Sequence, residues 1–202
     1  MTIDYTIELF SFWHCGSGLA AGTNVDELAL KDPDGLPFVP GRTVKGLLRS
    51  AAQTLQHMGV LDASHTDLVF GKGGDGEGYG QMGCASFTDA VLSHDERRAI
   101  TANRLGAGLY RSVASTAIGD DGIAKDHTLR RIQVVVPCVL HGHILGVPVT
   151  EQECKEFEEL HGHILGEPGG LARDLEACMG MVKRIGLGRS RGLGRCDIRR
   201  EG

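Results

Sequence analysis

Phe38-Val39-Pro40-Gly41-Arg42-Thr43-Val44-Lys45-Gly46-Leu47-Leu48-Arg49 is a turn running into an amphipathic helix. Pro40-Gly41 reads as the turn, Thr43 as a helix cap accepting a backbone N–H, and the next free N–H groups as an anion site. Val44, Leu47, Leu48, Ala51, Ala52, Leu55 and Met58 fall on one stripe, which predicts a helix over about 43–58 with that face in a core. Arg42, Lys45 and Arg49 fall together beside the stripe with no acid among them. Cations three and four residues apart suit successive phosphates. An ordinary solvated helix face is the other interpretation this segment leaves open.

Upstream, Ile3, Tyr5, Ile7 and Leu9 alternate with Thr2, Asp4, Thr6 and Glu8, the period of a half-buried strand, and a glycine-containing loop follows over 14–36. Downstream, the run from Gly71 to Gly78 reads as a flexible turn or linker and 82–92 as a strand. The Gly-, Ser- and Asp-rich stretch 104–125 reads as a protruding hairpin or loop. Residues 129–145, with Val134-Val135-Val136, predict one strand in which Pro137 marks an edge or a bulge. The capping box Thr150-Glu151-Gln152-Glu153 opens a helix with Cys154, Phe157, Leu160, Ile164 and Leu165 as its inner stripe. A further helix covers 171–182, and a last strand about 192–199. Strand, helix, strand, strand, helix, strand is the order of an α+β, ferredoxin-like (RRM-like) fold, whose antiparallel sheet keeps one face for helices and one for a ligand.

The 202 residues suit one elaborated domain with its own core. Six scattered cysteines with no C-x-x-C pair, and an opening strand interrupted by Asp4 and Glu8 where a signal peptide would be apolar, predict a reducing cytoplasm. The strongly apolar run Val134 to Leu140 is too short to cross a bilayer, so no membrane role is expected. A net charge of −5 weighs against a uniformly basic nucleic-acid binder, but the charge is segregated. Lys183 to Arg200 holds seven cations and one acid, whereas 151–167 holds six acids and only Lys155. Such segregation fits one surface meeting a polyanion.

Within the basic segment, Gly186-Leu187-Gly188-Arg189-Ser190-Arg191-Gly192-Leu193-Gly194-Arg195 interleaves glycines and arginines, which suits close phosphate approach by backbone N–H groups and guanidinium forks. A solvated glycine-rich turn is the alternative. The spacing is neither a dinucleotide fingerprint nor a Walker loop. Leu-His-Gly-His-Ile-Leu-Gly occurs twice, at 140–146 and 160–166, and is expected to be strand in the first copy and helix in the second. His141 and His143 share a strand face and could ligate a metal, but no Cys or carboxylate pattern accompanies them.

Taken in order, several stretches resemble the RAMP superfamily, and within it the repeated backbone subunit of type III CRISPR effector complexes. They are His14-Cys15-Gly16-Ser17-Gly18, Val25-Asp26, the run from Asp34 to Arg49, Leu68-Val69-Phe70-Gly71 and Ser86-Phe87-Thr88-Asp89-Ala90. Thr116 to Lys125, with Leu129-Arg130 behind it, and the closing run Gly188 to Gly194 complete the set.

The resemblance implies a single domain over 1–202, with a palm of about 1–104 and 128–202 and a thumb inserted at about 105–127. It implies a palm that binds crRNA, copies stacked as a filament among other effector subunits, and a thumb that splays the duplex with target RNA. Arg42, Thr43, Lys45, Gly46 and Arg49 would hold guide phosphates with Arg189, Ser190 and Arg191, while His14, Lys125, His127 and Arg130 would also meet RNA. Asp26 would be catalytic, cutting target RNA at flipped nucleotides with a divalent metal, Mg2+ or Mn2+. Glu27 and Asp32 are rival carboxylates in that loop. Some relatives are scaffolds whose nuclease is another subunit. The guide-processing branch of the superfamily shares the glycine-rich loop but generally lacks the Pro-Gly-x-x-x-Lys-Gly-x-x-Arg helix start.

Overall fold

The computed structural model describes residues 1–19, 25–73, 80–120, 122–161 and 169–201. Most of the expected linker (74–78) and most of the second Leu-His-Gly-His-Ile-Leu-Gly copy (162–166) lie outside them. The elements are β1 (Thr2–Leu9), β2 (Phe38–Val39), α1 (Gly41–His57), α2 (Ala63–Phe70), β3 (Gly71–Lys72), β4 (Gln81–Met82), β5 (Ser86–Phe87), β6 (Ala90–Val91) and α3 (His94–Ala102). They continue with β7 (Tyr110–Ser115), β8 (Arg130–Val135), β9 (Val139–Leu145), α4 (Glu151–His161), α5 (Gly170–Met181) and β10 (Cys196–Arg200).

The architecture is α+β. Strand β1 lies between β10 and β9 in an antiparallel sheet ordered β10-β1-β9-β6-β2, with β5 also paired to β9. Its alternation is realised as expected: Ile3, Tyr5, Ile7 and Leu9 are buried, and Ile7 sits between Leu140 and Ile198. Gly142 makes room for Tyr5, because a Cβ there would lie 2.4 Å from the phenol oxygen. Helix α1 buries Val44, Leu48, Ala51, Ala52 and Leu55, and α5 buries Leu171, Leu175, Cys178 and Met179. These helices pack against each other, and α5 packs on β10. Thr150 and Glu153 form the expected reciprocal cap of α4, at 3.2 and 3.1 Å.

Three local expectations are corrected. Residues 129–145 are two strands, because Pro137 has no N–H for a ladder; β8 leaves the sheet to pair with β7, and β9 enters it. Residues 82–92 hold the end of β4 and the short strands β5 and β6 rather than one strand. Thr43 does not cap α1: it lies inside the first turn, where its N–H donates to the Pro40 carbonyl at 2.8 Å. The Asp89 carboxylate instead accepts the Gly41 N–H at 2.8 Å.

The β7–β8 hairpin runs in register from Tyr110–Val135 to Ser115–Arg130. Its root is anchored by buried Val134 and Val135 and by Tyr110, whose hydroxyl donates to the Gly35 carbonyl at 2.8 Å. The Lys31 ammonium sits 4.0 Å from the centre of the Tyr110 ring.

Candidate nucleic-acid interface

The start of α1 opens onto two cavities that share Arg42. One, of about 490 Å³, is lined by Gly41, Arg42, Lys45, Phe70 and the run Met82 to Phe87. The other, of about 290 Å³, is lined by His14, Cys15, Gly16, Leu30, Pro40, Arg42, Thr43, Gly186 and Leu187. Three segments distant in sequence therefore meet: the turn after β1, the start of α1 and the entry to the glycine-rich loop. Arg42 is exposed and Lys45 half-buried, and among the described residues neither has an acidic partner. Unpaired cations around open cavities are free to neutralise phosphate. Gly46 presents bare backbone, with nothing within 4 Å of where a Cβ would stand. Arg49 is used differently: its guanidinium donates to the Gly71 carbonyl at 3.2 Å and fastens α1 to the end of α2.

The glycine-rich loop is shaped by packing more than by open amides. Gly186, Gly188, Gly192 and Gly194 all have positive φ, from 68° to 90°. A Cβ at Gly194 would fall 1.8 Å from the Ile185 carbonyl oxygen, and one at Gly186 2.2 Å from that of His14. The Leu187 N–H donates to the His14 carbonyl at 2.8 Å and the Gly194 N–H to the Phe12 carbonyl at 2.7 Å, so the loop is sewn onto the segment after β1. Arg189, Ser190 and Arg191 form an exposed 3-10 turn, and neither guanidinium has a partner among the described residues. The loop's entry meets Arg42 and Thr43 in the smaller cavity, while its arginines stand outside both cavities.

Asp26 is exposed and stitched to the hairpin. Its Oδ2 accepts the Arg131 N–H at 2.6 Å, and its own N–H donates to the Arg131 carbonyl at 2.8 Å. His14 is fully buried, with Nδ1 2.6 Å from the Gln133 carbonyl oxygen. Its Nε2 has no hydrogen-bond partner and lies 3.5 Å from Glu27 Oε2, within ion-pair reach. Asp32 is committed elsewhere, accepting the N–H groups of Asp34 and Leu36 and pairing with Arg97 at 2.6 Å. Lys125, His127 and Arg130 stand exposed on the hairpin, with His127 at φ 58°, and line neither cavity.

Among the described residues no group of three or more His, Cys, Asp or Glu side chains could hold a metal ion, so the surroundings of Asp26 do not by themselves fit a divalent ion. His141 and His143 do share a face, but each meets a carboxylate: Glu201 at 2.9 Å and Asp4 at 2.6 Å. Burial pushes the Cys15 thiol up to about 11 and the Cys138, Cys178 and Cys196 thiols up to about 12, so these four stay protonated at neutral pH.

A family model for the RAMP superfamily matches residues 6–197. The chain belongs to the RAMP superfamily. The matched span holds both cavities of this RAMP chain, its glycine-rich loop, the hairpin and Asp26. A search of curated proteins finds no match. Among solved structures it is similar to a chain of the type III-B Cmr-beta complex bound to cognate target RNA, determined by cryo-EM. The TM-score is 0.65 at 12% identity, over 99% of this chain and 97% of that one. A chain of the apo Cmr-beta complex gives 0.61 at 12% identity, with the same coverage. At such identity the likeness is one of fold. No described helix of this RAMP chain is long and apolar enough to cross a membrane.

Sequence reasoning missed Asp89, which brings a carboxylate to the one place where an open helix start was expected. Nothing local signals it, because Asp89 stands 48 residues along the chain from Gly41 and reaches it only once β6 pairs with β2. It also missed α2 and α3, although their caps are legible: Asp62 accepts the Ser64 N–H, and Ser93 and Glu96 form a capping box.

Proposed function

We propose that this chain is a crRNA-binding backbone subunit of a type III CRISPR effector complex acting in the cytoplasm. The observation that carries the proposal is the convergence of His14–Gly16, Arg42–Thr43 and Gly186–Leu187 on one cavity, with Arg42 leading into a second cavity beside Lys45. Neighbouring cavities joined by unpaired cations accommodate successive phosphates of one strand. The protein then recognises backbone and shape, while pairing to the guide supplies sequence.

The order β10-β1-β9-β6, with α1 following β1 and α5 leading to β10, supports a ferredoxin-like palm. The β7–β8 hairpin supports a thumb whose projecting part is about 105–127, with Lys125, His127 and Arg130 set against the guide–target duplex. Copies of the chain stack along the guide with other effector subunits. The fold likeness to a Cmr-beta chain bound to cognate target RNA supports target RNA as the second ligand.

In the same proposal the complex cuts target RNA beside Asp26. The 2′-hydroxyl oxygen of a displaced nucleotide attacks the adjacent phosphorus as its proton passes to solvent water, the bond from phosphorus to the 5′-oxygen breaks, and that oxygen leaves with a proton taken from water. Asp26 accepts a hydrogen bond from the attacking hydroxyl and holds it in line, an orientation effect. A non-catalytic scaffold is the second reading, favoured by the Arg131 N–H already held on Asp26 Oδ2. Cleavage of complementary RNA by the assembled complex, in magnesium or manganese, separates the two. Asp26→Asn is expected to abolish cutting and leave guide binding intact; undiminished cutting removes Asp26 from the chemistry. Imaging of the complex tests the filament, and copies that do not stack along the RNA would overturn it.

A further inference from the structure

Phe10 and Phe12 flank a bend at Ser11, directly after β1, and are 41% and 40% exposed. The other phenylalanines are buried or half-buried. Both exposed rings stand on backbone bonded to the outgoing limb of the glycine-rich loop. The Phe10 N–H donates to the Arg195 carbonyl at 2.9 Å, and the Phe12 carbonyl accepts the Gly194 N–H at 2.7 Å. The Arg195 N–H donates to Ser11 Oγ at 2.9 Å, closing the bend. The Arg195 guanidinium lies over the Phe10 ring, 5.7 Å from its centre.

From Lys183 to Arg195 the chain carries five cations and no acid. Lys183 is committed to Asp197 at 3.0 Å and Arg184 to the Arg189 carbonyl at 2.9 Å. Arg189 and Arg191 remain unpaired among the described residues, and Arg195 holds only the ring.

We infer that Phe10 and Phe12 form a stacking platform for unpaired bases of an RNA strand whose phosphates run along Arg189, Arg191 and Arg195. An apolar protein partner would cover the rings and leave the arginines uncompensated. A nucleic-acid strand satisfies both, since each base has a flat face for a ring and each phosphate neutralises a guanidinium. Neighbouring charge sets the direction of the strand. Glu8 lies back along β1 and repels phosphate, whereas Asp197 is neutralised by Lys183 and by Arg199 at 2.6 Å. The backbone is therefore held on the loop side and the bases on the β1 side. The platform rests on the RNA-binding reading above and adds base contact without sequence preference.

The test is binding of a 2-aminopurine-labelled single-stranded RNA to the full chain at several salt concentrations. Phe10→Leu and Phe12→Leu keep apolar bulk at partly exposed positions, and thermal melts check that they fold. Each is expected to weaken binding about 5- to 100-fold with the salt slope unchanged, because stacking releases no counterions. The quenching of 2-aminopurine is expected to fall in parallel, and Phe10→Trp to restore both. Wild-type affinity and quenching in folded Leu variants would overturn the platform alone, provided Arg42→Ala still alters the salt slope. Absence of RNA binding by the wild-type chain would overturn the platform together with the reading beneath it.

Discussion

Replacing Arg42 and Lys45 together with alanine separates phosphate binding from folding. Both cations lack acidic partners among the described residues, and both line the larger cavity. Each contact to a single strand contributes about 0.7 to the slope of log K against log salt, so losing two lowers it by about 1.4. Between 50 and 200 mM salt, the ratio of wild-type to variant affinity is then expected to shrink by about sevenfold. Fluorescence anisotropy with a labelled single-stranded RNA at four salt concentrations measures both slopes. Arg49→Ala is the internal contrast. Its guanidinium is committed to the Gly71 carbonyl, so its removal is expected to cost about 1 kcal/mol of folding stability with the slope unchanged. Equal slopes for wild type and the Arg42/Lys45 double variant would refute the assignment, whatever happened to affinity at a single salt concentration.

Gly194→Ala places a Cβ 1.8 Å from the Ile185 carbonyl at φ 68° and is expected to cost more than about 3 kcal/mol in denaturant unfolding. Gly46→Ala, which meets nothing, is expected to add about 0.5–1 kcal/mol as a better helix former while weakening RNA bound close to that backbone. Glu153 has its carboxyl held down at about 2 by the Met1 amino group and then by the Val149 and Thr150 N–H groups. A depressed carboxyl stabilises the fold above its ordinary value near 4.5 and loses that contribution as pH falls toward about 2. Glu153→Gln is therefore expected to lower stability at neutral pH and flatten its decline across that acid window, as followed by circular dichroism.

How much was legible depended on whether the signal was local. The alternation of β1, the stripe of α1 and the cap of α4 are local signals, and each formed where the residues indicated, except that Met58, expected on the α1 stripe, lies past the helix end and is exposed. The break at Pro137 was visible as a residue that cannot donate, but whether β8 would stay in the sheet or leave it for β7 depended on which strands were free to pair. The cationic row of α1 was legible as a row and not as a division of labour. Arg42 and Lys45 face cavities while Arg49 holds Gly71, because α2 returns beside the helix. In the glycine-rich loop, the glycines that suggested phosphate approach answer first to the backbone of 10–14, which lies far away in sequence.

That same segment couples the candidate interface to Asp26. A carbonyl can only accept, so the Gln133 oxygen fixes the His14 proton on Nδ1 and ties the turn after β1 to strand β8. One residue step along, the Glu27 carbonyl accepts the Gln133 N–H at 2.9 Å, and Asp26 exchanges hydrogen bonds with Arg131. Asp26 is thus held by the outer end of strand β8 and not by the palm sheet. A displacement of the hairpin would carry Asp26 with it and would pull, through Gln133, on His14, which lines the smaller of the two Arg42 cavities. If the hairpin parts guide from target as proposed, the carboxylate travels with the element that exposes the nucleotide it is to hold. Its alignment to that nucleotide then depends on the His14–Gln133 bond, through which the smaller cavity and the hairpin are joined.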